Sequence, residues 1–217
     1  MILVPVKNLS GAKQRLASLL DQGTRTELAQ TMLKDVAETL ASLTARPEIA
    51  LVTGDPFARE LATRFGFEVI PDSANRGETD AIEMATQICE SRGANFTLVI
   101  PGDIPLVQAW ELEKILESAP DQGSVLVPAA DGRGTNAALR RPAGLFPLRF
   151  GNDSFKPHLA AARASGKPVV VVPLSGIALD VDTATDLWRL AESPGTRHSQ
   201  LLVRELDLAD LPRAANE

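Results

Sequence analysis

Short apolar runs alternate with stretches of helical spacing along almost the whole chain, and this alternation constrains the fold more than any other feature. Ile2–Val6 opens the series as a buried strand. Over Thr24–Leu43, Leu28, Met32, Leu33, Val36 and Leu40 fall on one helical face, with Thr24 or Thr26 placed to cap its start. Ile49–Gly54 reads as a second strand, Pro56–Phe65 as a short helix stopped by Gly66, and Phe67–Ile70 as a third strand. A polar, turn-rich stretch, Pro71–Asp80, leads into a helix over Thr79–Arg92 that Gly93 ends. Phe96–Ile100 is the most strongly apolar strand and runs into Pro101-Gly102-Asp103-Ile104-Pro105. A helix over Gln108–Ser118 and a strand over Ser124–Val127 complete the first part of the pattern. Strands joined by amphipathic helices predict a single three-layer α/β/α domain with a mainly parallel, Rossmann-like sheet.

The rhythm breaks over Ala129–Phe155, which is rich in Gly, Arg, Asn and Pro; an irregular stretch of that length predicts a functional loop or lid. Regularity returns with a helix near Pro157–Ser165, a strand at Val169–Val172, the acidic segment Leu179–Thr183 and a helix over Ala184–Ala191. The predicted domain is 1–192, with 193–217 as a polar C-terminal extension that either docks on the domain or serves an interface. A chain of 217 residues is long enough for one full core. The net charge of −6 argues against a nucleic-acid partner, since such proteins are usually basic, yet leaves room for a local basic loop. No apolar stretch approaches a membrane span, and the opening strand is too short and too quickly charged for a signal peptide, so a cytoplasmic protein is expected. Cys89, the one cysteine, falls on a helix and reads as a small buried residue.

The chemistry starts where the first strand ends. Pro5-Val6-Lys7 passes into Asn8-Leu9-Ser10-Gly11-Ala12-Lys13-Gln14-Arg15-Leu16, a loop of small and cationic residues at the carboxyl edge of a strand. That is where α/β proteins hold polyphosphates, although the loop lacks the Walker spacing. Gly102-Asp103 ends another strand at the same edge; Asp103 either holds Mg²⁺ on a phosphate or caps the following turn. Asp180 and Asp182 are two apart, so in extended backbone both carboxylates face one side, toward one cation; Asp182 or Thr183 equally reads as the cap of the next helix. Asp-x-Asp-x-Thr also resembles the nucleophile motif of haloacid-dehalogenase-type phosphatases, but too little chain follows to build that domain. Gly134-Thr135-Asn136 and Gly151-Asn152-Asp153-Ser154 are turns able to aim N–H groups and a hydroxyl at an anion, or plain surface turns. His158 reads as structural or solvent-facing more readily than as an acid–base group, and His198 lies in the tail.

In their order, Pro5-Val6-Lys7, Ala12-Lys13-x-Arg15-Leu16, Pro101-Gly102-Asp103-Ile104-Pro105, Gly134-Thr135-Asn136, Phe150-Gly151-x-x-Ser154 and Asp180-x-Asp182-Thr183 resemble the CofC/FbiD guanylyltransferases of coenzyme F420 biosynthesis, within the MobA-like nucleotidyltransferase group. The resemblance spans Met1 to about Leu190 and implies a nucleotide-diphospho-sugar transferase type of fold. It implies transfer of GMP from GTP to the phosphate of 2-phospholactate, phosphoenolpyruvate or 3-phosphoglycerate, releasing pyrophosphate. Lys13, Arg15 and Asp103 would then be catalytic, with the nucleotide held by Pro5, Val6, Lys7, Lys13, Gly77, Glu78, Thr79 and Gly102. Asp103, Asp180 and Asp182 would hold Mg²⁺, and Thr135, Asn136, Gly151 and Ser154 the acceptor's phosphate. The implied partners are GTP and a small phosphorylated acid, with no nucleic acid or membrane; a homodimer is compatible. Where relatives usually show a Gly-Leu-Asn turn, this chain has Gly77-Glu78-Thr79-Asp80. An acid there either accepts from guanine N1–H and the N2 amine or belongs to a solvated cap at Thr79. Two other readings stay open: a different acceptor, such as a sugar phosphate or molybdopterin, and a nucleotide-binding relative without catalysis.

Overall fold

The computed structural model describes residues 1–72, 77–151 and 153–206. Seven strands form one sheet: β1 (Ile2–Val6), β2 (Ile49–Thr53), β3 (Glu68–Ile70), β4 (Thr97–Val99), β5 (Gly123–Pro128), β6 (Thr135–Arg141) and β7 (Val169–Val171). Their order is β3-β2-β1-β4-β6-β5-β7. All neighbours are parallel except β6, which runs antiparallel to both β4 and β5. Among the described residues, eight α-helices accompany it: α1 (Gln22–Ala41), α2 (Pro56–Phe65), α3 (Glu78–Ser91), α4 (Ala109–Ser118), α5 (Phe155–Ala164), α6 (Ser175–Ala178), α7 (Ala184–Glu192) and α8 (His198–Glu205).

The period of two in β1 creates two cores. Ile2, Val4 and Val6 face one layer with side chains of α1, α2, α4 and α6, while Leu3 faces the other with α3 and α5. A third cluster joins Leu28 and Met32 of α1 to Leu187 and Leu190 of α7 and Val203 of α8. Each fully buried Leu or Ile adds about 1.5–3 kcal/mol of apolar burial, so the strands' short length is offset by coverage on both faces. Cys89 is buried in α3, as its apolar surroundings predict.

Three sequence expectations change. The stretch Ala129–Phe155 is not one loop: it contains β6, an interior strand. Its polar and basic residues concealed it, because Arg140 is fully buried rather than solvated. The cap of α1 is Asp21, whose carboxylate accepts from Thr24 N, rather than Thr24 or Thr26. Thr79 does not cap α3; Gly77 occupies that position at φ 141°, and Thr79 Oγ1 accepts from Phe150 N.

The C-terminal extension docks through its described part. Asp35, fully buried on α1, accepts from His198 N, Ser199 N and Ser199 Oγ at 2.5–3.0 Å. It supplies from a distant helix the acceptors that the first N–H groups of α8 need. Residues 207–217 and Asn152 lie outside the described residues. Among the described residues, no helix is long and apolar enough to cross a membrane.

Candidate active site

The sheet order reverses direction between β1 and β4, since β2 and β3 continue to one side and β4 begins the other. Such a switch point opens a crevice beyond the carboxyl ends of the parallel strands. Because β6 runs antiparallel, its first residues, Thr135 and Asn136, lie at that same edge. A cleft of about 780 Å³ occupies the place.

The loop after β1 forms one wall. Asp55, the cap of α2, accepts from Ala58 N and also from Leu9 N, and so ties the loop to a helix start. Lys13 lies in the left-handed region at φ 56° and ψ 42°. Its Nζ is 2.6 Å from Asp103 Oδ2 and 2.8 Å from Asp182 Oδ1. Burial works against the ammonium, but Asp103 and Asp182 together hold its pKa above the ordinary lysine value. Arg15 is exposed and stands 3.5 Å from Asp182. Burial likewise opposes ionisation of Asp182, and Lys13, helped by Arg15, outweighs it and holds that carboxyl low.

Gly102 permits the turn that presents Asp103: a Cβ there would lie 3.0 Å from Leu33 Cδ1 of α1. The backbone carbonyl of Asp103 accepts from Val181 N, which joins the two acidic segments. Thr183 caps α7 through its hydroxyl, with Asp186 accepting from Thr183 N. Asp182 is thereby left for Lys13. Behind this segment, Glu111 of α4 accepts from Gly176 N and fixes the start of α6. Asn136 Nδ2 donates to Ile177 O, Ala178 O and Asp180 Oδ1, each at 3.0 Å. Its amide therefore steers Asp180. Burial pushes the Asp180 carboxyl up, against the Asn136 hydrogen bond, with the charges of Asp103 and Asp182 adding to the rise.

The opposite wall comes from the start of β6 and the segment before α5. Thr135 N donates to Ser154 Oγ at 3.1 Å. Gly151 holds φ 140°, a conformation that favours glycine. Arg133 and Asp153, both exposed on this same wall, form an ion pair. Asp153 belongs to the turn Gly151–Ser154 named from the sequence, whereas Arg133 was not legible there as a cleft residue, its one signal being its place in Gly132-Arg133-Gly134.

Of the residues expected from sequence, the cleft brings together Pro5, Val6, Lys7, Lys13, Arg15, Glu78, Gly102, Asp103, Thr135, Asn136, Gly151, Ser154, Asp180 and Asp182. Gly77 and Thr79, which flank Glu78 at the start of α3, do not line it. Glu78 projects from the first turn of α3, and burial, more than the nearby Asp103, raises its carboxyl to about 7. His158 is buried behind the Thr135 wall rather than in the cleft.

The model of the family described as "Guanylyl transferase CofC like" matches residues 1–215. The chain belongs to the CofC-like guanylyltransferase family. Phosphoenolpyruvate guanylyltransferase of Roseiflexus castenholzii is 35% identical over 203 residues, covering 94% of this chain and 93% of that one. The 2-phospho-L-lactate guanylyltransferase of Methanothermobacter thermautotrophicus is 29% identical over 215 residues, covering 99% and 94%. Among solved structures, a candidate nucleotide-diphospho-sugar transferase from Desulfovibrio desulfuricans superposes with a TM-score of 0.77 at 20% identity, covering 94% of this chain and 93% of that one. That likeness carries the fold, and the α/β architecture expected from sequence agrees with it. In the CofC-like frame, the cleft gathers the cations Lys7, Lys13 and Arg15, five aspartates that include Asp103, Asp180 and Asp182, and the hydroxyls of Thr135 and Ser154.

Proposed function

We propose that this protein transfers GMP from GTP to the phosphate of a small phosphorylated carboxylic acid and releases pyrophosphate. The observation that carries the reading is the pairing, in one cleft, of Lys13, Asp103 and Asp182 with Thr135 and Ser154 opposite them. Two anionic substrates need such a split site: the acceptor phosphate is already nucleophilic near neutral pH, and the obstacle is mutual repulsion. No general base is required of the protein. Lys13 and Arg15 would bind the triphosphate, Lys7 the rim of the same half, and Thr135, Gly151 and Ser154 the acceptor phosphate. Phosphoenolpyruvate is the favoured acceptor, because the relatives named for it reach 35% identity against 29% for a 2-phospholactate relative.

Mg²⁺ fits the chemistry of the donor set Asp103, Asp180 and Asp182, three hard oxygen ligands, of which Asp180 has its carboxyl raised by burial first and then by the charges of Asp103 and Asp182. When bound it neutralises phosphate charge and orients phosphate oxygens. Lys13 neutralises Asp103 and Asp182, and with Mg²⁺ held by those carboxylates its ammonium would be free to pair with the triphosphate. A different acidic group, Asp35, Glu38 and His198, is the one among the described residues whose three ligand atoms lie within 4.8 Å of one another, a closeness that Asp103, Asp180 and Asp182 do not reach. Asp35 already accepts three hydrogen bonds there, so that group reads as a helix dock. Residues 1–192 form the nucleotidyltransferase domain on this reading, and the extension stabilises it through α8.

The test is direct. Incubation with GTP, Mg²⁺ and each of phosphoenolpyruvate, 2-phospholactate and 3-phosphoglycerate should release pyrophosphate with at least one acid; silence with all three overturns the acceptor class. Asp103→Asn should lower kcat by roughly 10²–10³ while the circular dichroism spectrum stays unchanged, and retained turnover would remove Asp103 from the site.

A further inference from the structure

The two ring nitrogens of His158 face different partners, and one protonation state serves both. Nε2 lies 2.8 Å from Arg149 N. A backbone N–H can only donate, so Nε2 carries a lone pair and the ring proton belongs to Nδ1. Nδ1 lies 2.9 Å from Thr135 Oγ1, so Nδ1–H donates to that oxygen. The Thr135 hydroxyl then accepts from His158, and its own proton must find another acceptor. His158 is the side-chain partner of Thr135 Oγ1 among the described residues, and Thr135 lines the cleft. Ser154 Oγ is in a matching position: it accepts from Thr135 N, which leaves its proton free, and it lines the same wall.

We propose that His158 is a positioning residue which, as a fixed Nδ1–H tautomer, turns the Thr135 hydroxyl proton into the cleft so that Thr135 and Ser154 donate together to the phosphate of the acceptor acid. A hydroxyl is both donor and acceptor, and a phosphate dianion needs donors only. Occupying the threonine's acceptor side in advance removes the unproductive orientation before the substrate arrives. The ring is fixed by burial, with 1% of its surface exposed, and by the edge of Phe150, whose centroid is 5.0 Å away at 64°. Protonation would set a second ring N–H against Arg149 N. The inference rests on the reading of Thr135 and Ser154 as the acceptor side of the cleft.

Long-range proton–nitrogen NMR correlations on the ¹⁵N-labelled full chain read the tautomer without any variant. The expected result is Nδ1–H with an unprotonated Nε2; an Nε2–H ring overturns the proposal. In the kinetic arm, with GTP and phosphoenolpyruvate, His158→Asn retains an N–H near the Nδ1 position and should hold the acceptor KM within about threefold. His158→Leu should raise it by roughly tenfold or more while the KM for GTP stays within about twofold. An unchanged acceptor KM, or an equal rise in both values, overturns the assignment. Thr135→Val separates the two claims: if it leaves the acceptor KM unchanged, the reading of that wall fails; if it raises the KM and His158→Leu does not, only the role of His158 fails. Should His158→Leu not fold, the tautomer still decides the question.

Discussion

Lys13 combines an uncommon backbone with a buried charge. A non-glycine residue in the left-handed region costs of order 1 kcal/mol, and two ion pairs at 2.6 and 2.8 Å hold it there. The same ammonium competes with any cation for Asp103 and Asp182. Lys13→Gln should therefore bind Mn²⁺ in the absence of nucleotide roughly tenfold more tightly than the wild type, read by electron paramagnetic resonance, while turnover falls. Weaker binding in that variant would show that the lysine does not compete for the carboxylates. Glu78 is a second perturbed group, raised from 4.5 to about 7 chiefly by burial. A raised folded-state pKa means the native state holds the proton more tightly than the unfolded chain. The stability it contributes is full below about pH 4.5 and is lost as pH rises through about 7. Glu78→Gln removes that dependence. Without nucleotide or Mg²⁺, the variant should match the wild type near pH 4.5 and exceed it at pH 8 by on the order of 2 kcal/mol in urea unfolding. Equal stability at both pH values would contradict the shift. His158 is the opposite case: burial first, then the Arg140 charge, lowers it to about 4, which keeps the ring neutral at physiological pH.

At the scale of elements, helix starts do much of the positioning. Asp55 caps α2 and reaches the first loop, Thr183 caps α7 and leaves Asp182 to the cleft, and Asp35 of α1 caps α8 from outside it. Asp35→Ala would leave the first N–H groups of α8 without their buried acceptor. Urea unfolding should show a loss of about 2–4 kcal/mol, with the KM values for both substrates unchanged; a cost below 0.5 kcal/mol would mean that α8 is held by Val203 and its apolar neighbours alone. Elements bounded by strong local signals were legible in the sequence. The helix Pro56–Phe65, with its proline start and Gly66 stop, coincides with α2. The opening strand coincides with β1. β6 was not legible, because Thr-Asn-Ala-Ala-Leu-Arg-Arg carries no apolar alternation and its second-to-last residue is a buried cation.

Over the whole molecule, that cation joins the layers. Arg140 donates from β6 to Thr86 of α3, Thr97 of β4 and the Phe146 carbonyl, with Glu83 at 3.4 Å. Glu83 in turn accepts from Leu148 N, on the segment that leads to Gly151. Burial lowers the Arg140 pKa against the pull of Glu83, so the charge is tolerated through its hydrogen bonds. Arg140→Ala should cost roughly 3–5 kcal/mol in urea unfolding. A loss under 1 kcal/mol would show that the layers do not depend on it.

The strands and helices other than β6 that carry strong local signals, the apolar cores and the chemical types at the cleft were decided by the sequence itself, because side-chain periodicity and strand-end glycines, cations and carboxylates are local properties. The ordered motifs were enough to place the chain beside the CofC-like family. Tertiary structure alone decided that β6 runs antiparallel, and this reversal carries Thr135 and Asn136 to the edge where Lys13 and Asp103 end their loops. It alone decided that Lys13 lies between two aspartates, that Asn136 steers Asp180, and that His158 stands behind Thr135. Those pairings join residues 23 to 169 positions apart, and no local pattern encodes a contact whose partner is chosen by the packing of the sheet.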